Sequence, residues 1–112
     1  MVIRFSPLLA AALLAGCMPY PPPPAAPYHA IGTDSRWDLI IDDKNVTFIA
    51  AGQAPVVQPK PPVIVGVAGE IYQTPRINVN IVHASCTIGT RSFPDRVQVR
   101  VDQAPHEGCG GL

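Results

Sequence analysis

Residues 95–101 read Asp-Arg-Val-Gln-Val-Arg-Val. Val97, Val99 and Val101 alternate with Arg96, Gln98 and Arg100, the period of two that sets one side of a strand in a core and the other in water. Working back along the chain, Arg76 to Ala84 repeats the pattern: Ile77, Val79 and Ile81 lie on one side, Asn78 and Asn80 on the other. Trp37, Leu39 and Ile41 alternate with Asp38, Ile40 and Asp42 in the same way. Asp42-Asp43-Lys44-Asn45 makes a polar turn, and Val46 to Ala50 reads as the returning strand of a hairpin. Val63-Ile64-Val65-Gly66-Val67 is wholly apolar, suited to a buried strand that Gly69 closes. Gly52 to Pro62, with four prolines, and Ser85 to Pro94 read as loops. Gly108-Cys109-Gly110-Gly111 is too rich in glycine for more than an edge segment. No stretch holds a 3.6-residue period over two turns, which leaves room for one short helix at most, around Glu70–Thr74. The expected fold is mainly β, a small antiparallel barrel or sandwich of five or more short strands.

The chain has 112 residues, eight Lys+Arg against eight Asp+Glu, and a hydrophobic fraction of 47%. These averages conceal an uneven distribution. Residues 1–16 are almost wholly apolar, and six of the fourteen prolines fall between Pro19 and Pro27. Without those segments roughly 85 residues remain to build one core, which disfavours a multidomain enzyme. Zero net charge supplies no electrostatic footprint for nucleic acid, so no nucleic-acid partner is expected.

The N-terminus carries an address. Met1-Val2-Ile3-Arg4 is a short, singly positive opening, and Phe5 to Ala15 is an apolar run of secretory-signal length, too short to span a bilayer. It ends in Leu14-Ala15-Gly16-Cys17, which resembles the bacterial lipoprotein lipobox. The resemblance implies cleavage between Gly16 and Cys17 and a covalent lipid on the Cys17 sulfur. Met18 rather than Asp follows Cys17, which implies delivery to the periplasmic face of the outer membrane. The segments are then a signal peptide (1–16), a lipidated cysteine with a Pro-rich tether (17–29) and a β domain (30–112). Met-Pro-Tyr-Pro-Pro-Pro-Pro-Ala-Ala-Pro, residues 18–27, reads as a disordered, extended spacer of polyproline II character. At ~3.1 Å per residue it would hold the domain some 30 Å from the membrane.

With Cys17 lipidated, Cys86 and Cys109 remain. A small exported domain is where disulfides form and are needed. A bridge between them would contribute about 3 kcal/mol by the chain-entropy model. The alternative is zinc: His83-Ala84-Ser85-Cys86 and His106-Glu107-Gly108-Cys109 are both His-x-x-Cys, and together supply four tetrahedral N/S ligands. Thiol oxidation outside the cytoplasm competes with metal binding. His83 also shares the strand parity of Ile77, Val79 and Ile81, where a core histidine with a hydrogen-bond partner is the plainer account. The disulfide, with no cofactor beyond the lipid, is the preferred reading.

No catalytic constellation is present. There is no Gly-x-Ser-x-Gly, no phosphate-cradling loop and no framed carboxylate pair. Arg91, Arg96 and Arg100 are the one cationic concentration, and Arg96 and Arg100 share a strand face with Gln98 between them. They could receive an anionic envelope ligand, or form a solvated face that resists edge aggregation.

Gly32-Thr33-Asp34-Ser35-Arg36-Trp37, Cys86-Thr87-Ile88-Gly89-Thr90-Arg91-Ser92-Phe93-Pro94, Val97-Gln98-Val99 and Gly108-Cys109-Gly110-Gly111 together resemble a family of small bacterial envelope lipoproteins. That family opens with Gly-(Thr/Asn)-(Glu/Asp)-x-x-Trp and closes with Cys-Ser-Asp-Gly-Met-Ser-Asp, Tyr-Pro, Val-x-Val and Gly-Cys. It is distantly similar to the META/HslJ type of β domain. Thr87-Ile88-Gly89-Thr90 stands where the family has an acidic loop, and Phe93 where Tyr is usual. The resemblance implies a compact β fold and Cys86–Cys109 pairing. It brings no activity. The expected function is that of a non-enzymatic, lipid-anchored envelope protein that binds an envelope or cell-wall partner or supports envelope integrity. An alternative within that class is an inhibitor or sensor of an envelope-attacking agent.

Overall fold

The structure, a computed structural model, describes residues 26–112. The signal segment, the Gly16–Cys17 cleavage site, Cys17 and residues 18–25 of the tether lie outside the described residues. Nine strands form one antiparallel sheet curled into a half-barrel. Its members are β1 (Tyr28–Gly32), β2 (Trp37–Ile41), β3 (Asn45–Ala50), β4 (Val56–Pro59), β5 (Ile64–Val65), β6 (Gly69–Gln73) and β7 (Ile77–Val82), followed by β10 (Asp95–Val101) and β11 (Ala104–Gly110). The other two strands, β8 (Cys86–Ile88) and β9 (Arg91–Phe93), pair only with each other. Strand order across the sheet is β4-β3-β2-β1-β11-β10-β7-β6-β5. β1 starts at Tyr28, so the fold takes in Tyr28 and His29, two residues that the sequence reading gave to the tether.

The alternating residues face one way. Trp37, Leu39, Ile41, Val46, Phe48, Ile77, Val79, Ile81, Val97, Val99 and Val101 join Ala30 in a single buried cluster. Arg96, Gln98 and Arg100 are exposed on the outer face. Two hairpins carry their turn chemistry openly. Asp42 Oδ1 accepts from the backbone N–H of Lys44 at 2.8 Å and of Asn45 at 2.6 Å, which closes the β2–β3 turn. Asp102 and Gln103, at φ 49° and 74°, form the two-residue link of β10 and β11, where two positive φ values match the strand twist.

The curl has a covalent cause. β4 and β5 stand at opposite borders of the sheet, yet only Lys60–Val63 join them. Such a link spans roughly 18 Å at full extension, so the two borders must bend toward each other. Lys60 touches both sides: its N–H donates to the Lys44 carbonyl at 2.8 Å, and its ammonium lies 5.9 Å from the centre of the Tyr72 ring in β6.

Several expectations are corrected. Residues 70–74 form no helix; Glu70 to Gln73 lie in β6, paired along β7, because Ile71 and Tyr72 suit a pleated surface and Pro75 leaves too little chain for a stable helix. Within Gly52–Pro62, Val56–Pro59 pairs with β3, and Pro59 is tolerated there because β4 is an edge strand. Ser85–Pro94 is a hairpin turning at Gly89, whose φ is +61°. Residues 63–67 are not a buried strand: Val65 is 75% exposed and Val67 fully so, since the short link leaves β5 at the border.

The glycine-rich end is also not at an edge. β11 lies between β1 and β10, and Gly108, Cys109 and Gly110 are all buried. A Cβ at Gly108 would meet the Ile31 carbonyl and the Trp37 ring, and one at Gly110 would lie 2.6 Å from the Tyr28 hydroxyl. Glycine here serves close approach in the middle of the sheet.

Candidate functional site

One rim of the half-barrel gathers four polar side chains from four places in the chain. Asp95 opens β10 at the same parity as Val97, so its carboxylate points inward, and it is 5% exposed. Opposite it in β11 is Gly110, whose missing side chain leaves space for Tyr28 of β1 to reach across. The Tyr28 hydroxyl donates to Asp95 Oδ2 at 2.8 Å. The other Asp95 oxygen lies 2.7 Å from Nδ1 of His83, which follows the end of β7. His83 Nε2 in turn meets Glu70 Oε2 of β6 at 2.6 Å.

The protonation of this chain follows from its contacts. A neutral imidazole has one N–H, so His83 can donate to both carboxylates only as imidazolium. The hydrogen bond to Asp95, then that to Glu70, raises its pKa above the ordinary 6.5. Burial, followed by the hydrogen bond and charge of Asp95, pushes the Tyr28 hydroxyl far above its ordinary value, which keeps it a donor. Burial and the charge of Glu70 also raise Tyr72. Both carboxylate contacts thus favour the imidazolium form of His83. The cluster ties β1, β6, β10 and the end of β7 into one rim.

His83 does not sit in the core as its strand parity suggests. The chain leaves β7 at Val82, and the His83 side chain is 54% exposed. Cys86 and Cys109 are joined by a disulfide, with Cα atoms 5.6 Å apart. The bridge fastens the β8–β9 hairpin to the outer face of β11, where the Cys109 side chain is fully buried. His106 points into the barrel, with its ring 4.9 Å from that of Phe48 and 6.1 Å from that of Trp37. Of the four residues considered for zinc, the structure brings together only the two sulfurs, in a bond that leaves no thiolate. Among the described residues no group of three or more His, Cys, Asp or Glu is placed to hold a metal ion. In the rim cluster the imidazole stands between the two carboxylates, so their oxygens do not converge.

The three arginines are spread out. Arg96 borders a hollow of about 410 Å³ with Thr33, Cys86 and Glu107. Arg100 borders a smaller one of about 170 Å³ with Asn78, Asn80 and Gln98. Arg91 sits on β9, its guanidinium 4.9 Å from the Phe93 ring. The Gln98 amide donates to Glu107 Oε1 at 3.3 Å, so an acidic side chain stands beside the cationic row.

Tyr28, Glu70 and Asp95 were not singled out from the sequence. Asp95 carried a signal, being an acidic residue at an apolar position of an alternating strand. No family model, curated protein or solved structure matches the chain.

Proposed function

We propose that this chain is a bacterial envelope lipoprotein, anchored through lipid on Cys17, whose β domain works by binding or by supporting the envelope and not by catalysis. The observation that carries the reading is the division of the three cysteines. Cys86 and Cys109 are consumed in a disulfide, which leaves Cys17, at the end of Leu14-Ala15-Gly16-Cys17, as the one remaining thiol. A disulfide belongs to an oxidising compartment, and a lipobox belongs to a chain exported there. The two features support the same address independently. The likeness to small envelope lipoproteins from Gly32 to Gly111 supports it further. The rim cluster fits a module that binds or scaffolds: its two carboxylates hold the imidazole from both sides.

Growth with a palmitate analogue tests the anchor. Wild type should be labelled, Cys17→Ser should not, and Cys86→Ser should keep the label. Equal labelling of wild type and Cys17→Ser would overturn the reading.

A further inference from the structure

The nine residues Pro61 to Gly69 contain no polar side chain, and they form the barest apolar feature among the described residues. Val63 and Ile64 are 44% and 46% exposed, Val65 is 75% exposed, and Val67 projects completely from the β5–β6 turn. The turn is closed by the Gly66 N–H donating to the Gly69 carbonyl at 2.8 Å. Exposed valines at a built turn carry a cost in solubility that a solvated loop would not.

The position of this tip identifies its occupant. The His83 N–H donates to the Ala68 carbonyl at 2.9 Å, while the His83 ring reaches Asp95, which holds Tyr28. The apolar tip and the start of β1 therefore lie on the same rim. Tyr28 is about eleven residues from Cys17, a stretch that spans no more than roughly 40 Å. A chain anchored at Cys17 thus enters its fold on the rim that bears Val67, and contact of that rim with the bilayer requires the tether to lie along the surface instead of holding the domain about 30 Å away.

We propose that the β5–β6 tip, Val63 to Val67, docks on the lipid bilayer that carries the Cys17 anchor. This rests on the anchored reading above. Lys60 suits an interface: it lies in the link that leads into the tip, and its ammonium stands over the Tyr72 ring. Of the carboxylates on this rim, Glu70 and Asp95 are tied to His83, and Asp42 and Asp43 stand beside Lys44 in the β2–β3 turn, where Asp42 accepts from the backbone. Edge pairing with a second copy is the weaker fit, because β5 has two residues and follows Pro61-Pro62, which lack backbone donors.

The test uses the full lipidated protein in phosphatidylethanolamine–phosphatidylglycerol vesicles with brominated acyl chains. Val67→Trp reports on the tip and Ala51→Trp on the opposite end of the barrel; native Trp37 is buried in the core and supplies the baseline in wild type. Val67→Trp emission should shift to the blue and lose most of its intensity, and Ala51→Trp should do neither. No quenching in either variant, with lipid on Cys17 established by mass, overturns the docking and leaves the anchor standing. A mass without lipid overturns the anchor. In that case quenching of Val67→Trp by added vesicles still upholds the tip's affinity, and its absence overturns both. A dimer that Val65→Pro dissolves, with Val67→Trp unquenched, overturns the bilayer in favour of a second copy.

Discussion

Tyr28 and Asp95, 67 residues apart, are joined at 2.8 Å through the space that Gly110 leaves open. The hydroxyl donates to a carboxylate that is nearly removed from water, so its loss leaves one oxygen unpaired. Tyr28→Phe should cost about 1.5–3 kcal/mol, the range for hydrogen bonds to charged groups. Urea unfolding at neutral pH would measure it. A cost within a few tenths of a kcal/mol would mean that water satisfies Asp95 equally well.

His83 makes the fold sensitive to pH in a definite direction. Its folded pKa is raised above the ordinary 6.5, first by the hydrogen bond to Asp95 and then by that to Glu70. Protonation is therefore favoured by folding. The contribution is fully present below 6.5 and is lost as pH climbs through the raised value. Wild type should exceed His83→Gln in stability in mildly acidic buffer, and the two should converge on the alkaline side. Denaturation midpoints across pH give the comparison; a gap that widens toward alkaline pH would contradict the imidazolium assignment.

Strands with one buried and one solvated face were legible because burial imposes a period of two. Val97, Val99 and Val101 in β10 and Ile77, Val79 and Ile81 in β7 show it without interruption. β11 was not legible, because Gly108 and Gly110 have no side chain to carry the pattern and their reason is the closeness of Ile31 and Trp37. The valines of residues 63–67 read as buried from composition alone, whereas the four-residue link from β4 decides that they stand at a border. The disulfide was available from counting cysteines. The contacts of Tyr28 and Glu70 were not, since they depend on β1 lying beside β11 and β6 beside β7, and strand order is not written in local periodicity.

The β8–β9 hairpin shares no ladder with the large sheet, so Cys86–Cys109 is the covalent cross-link that fastens it to β11. Replacing both residues by alanine should cost about 2–5 kcal/mol. The local effect is more diagnostic than the global one. Amide exchange should quicken across residues 86–93 while Val97 and Val99 keep most of their protection. Uniform loss of protection would show that the bridge supports the whole barrel and not the hairpin alone.

Two glycines separate backbone freedom from close packing. At Gly52 φ is +78° and a Cβ would meet nothing within 4 Å, so Gly52→Ala costs only the left-handed strain of about 1–2 kcal/mol. At Gly108 a Cβ would press on the Trp37 ring and on the backbone carbonyl of Ile31, which cannot yield without opening the β1–β11 ladder. Overpacking of this kind costs 1–3 kcal/mol or more, and a rigid backbone neighbour puts Gly108→Ala at about 3 kcal/mol or above. For a domain this small each kcal/mol corresponds to roughly 4–8 °C in Tm. Gly108→Ala should therefore melt at least about 12 °C below wild type or fail to fold, and Gly52→Ala should lose clearly less. Thermal unfolding of the two variants side by side decides the matter. A larger loss at Gly52 than at Gly108 would mean that β11 can move away from β1, against the closeness that the Gly108 backbone shows.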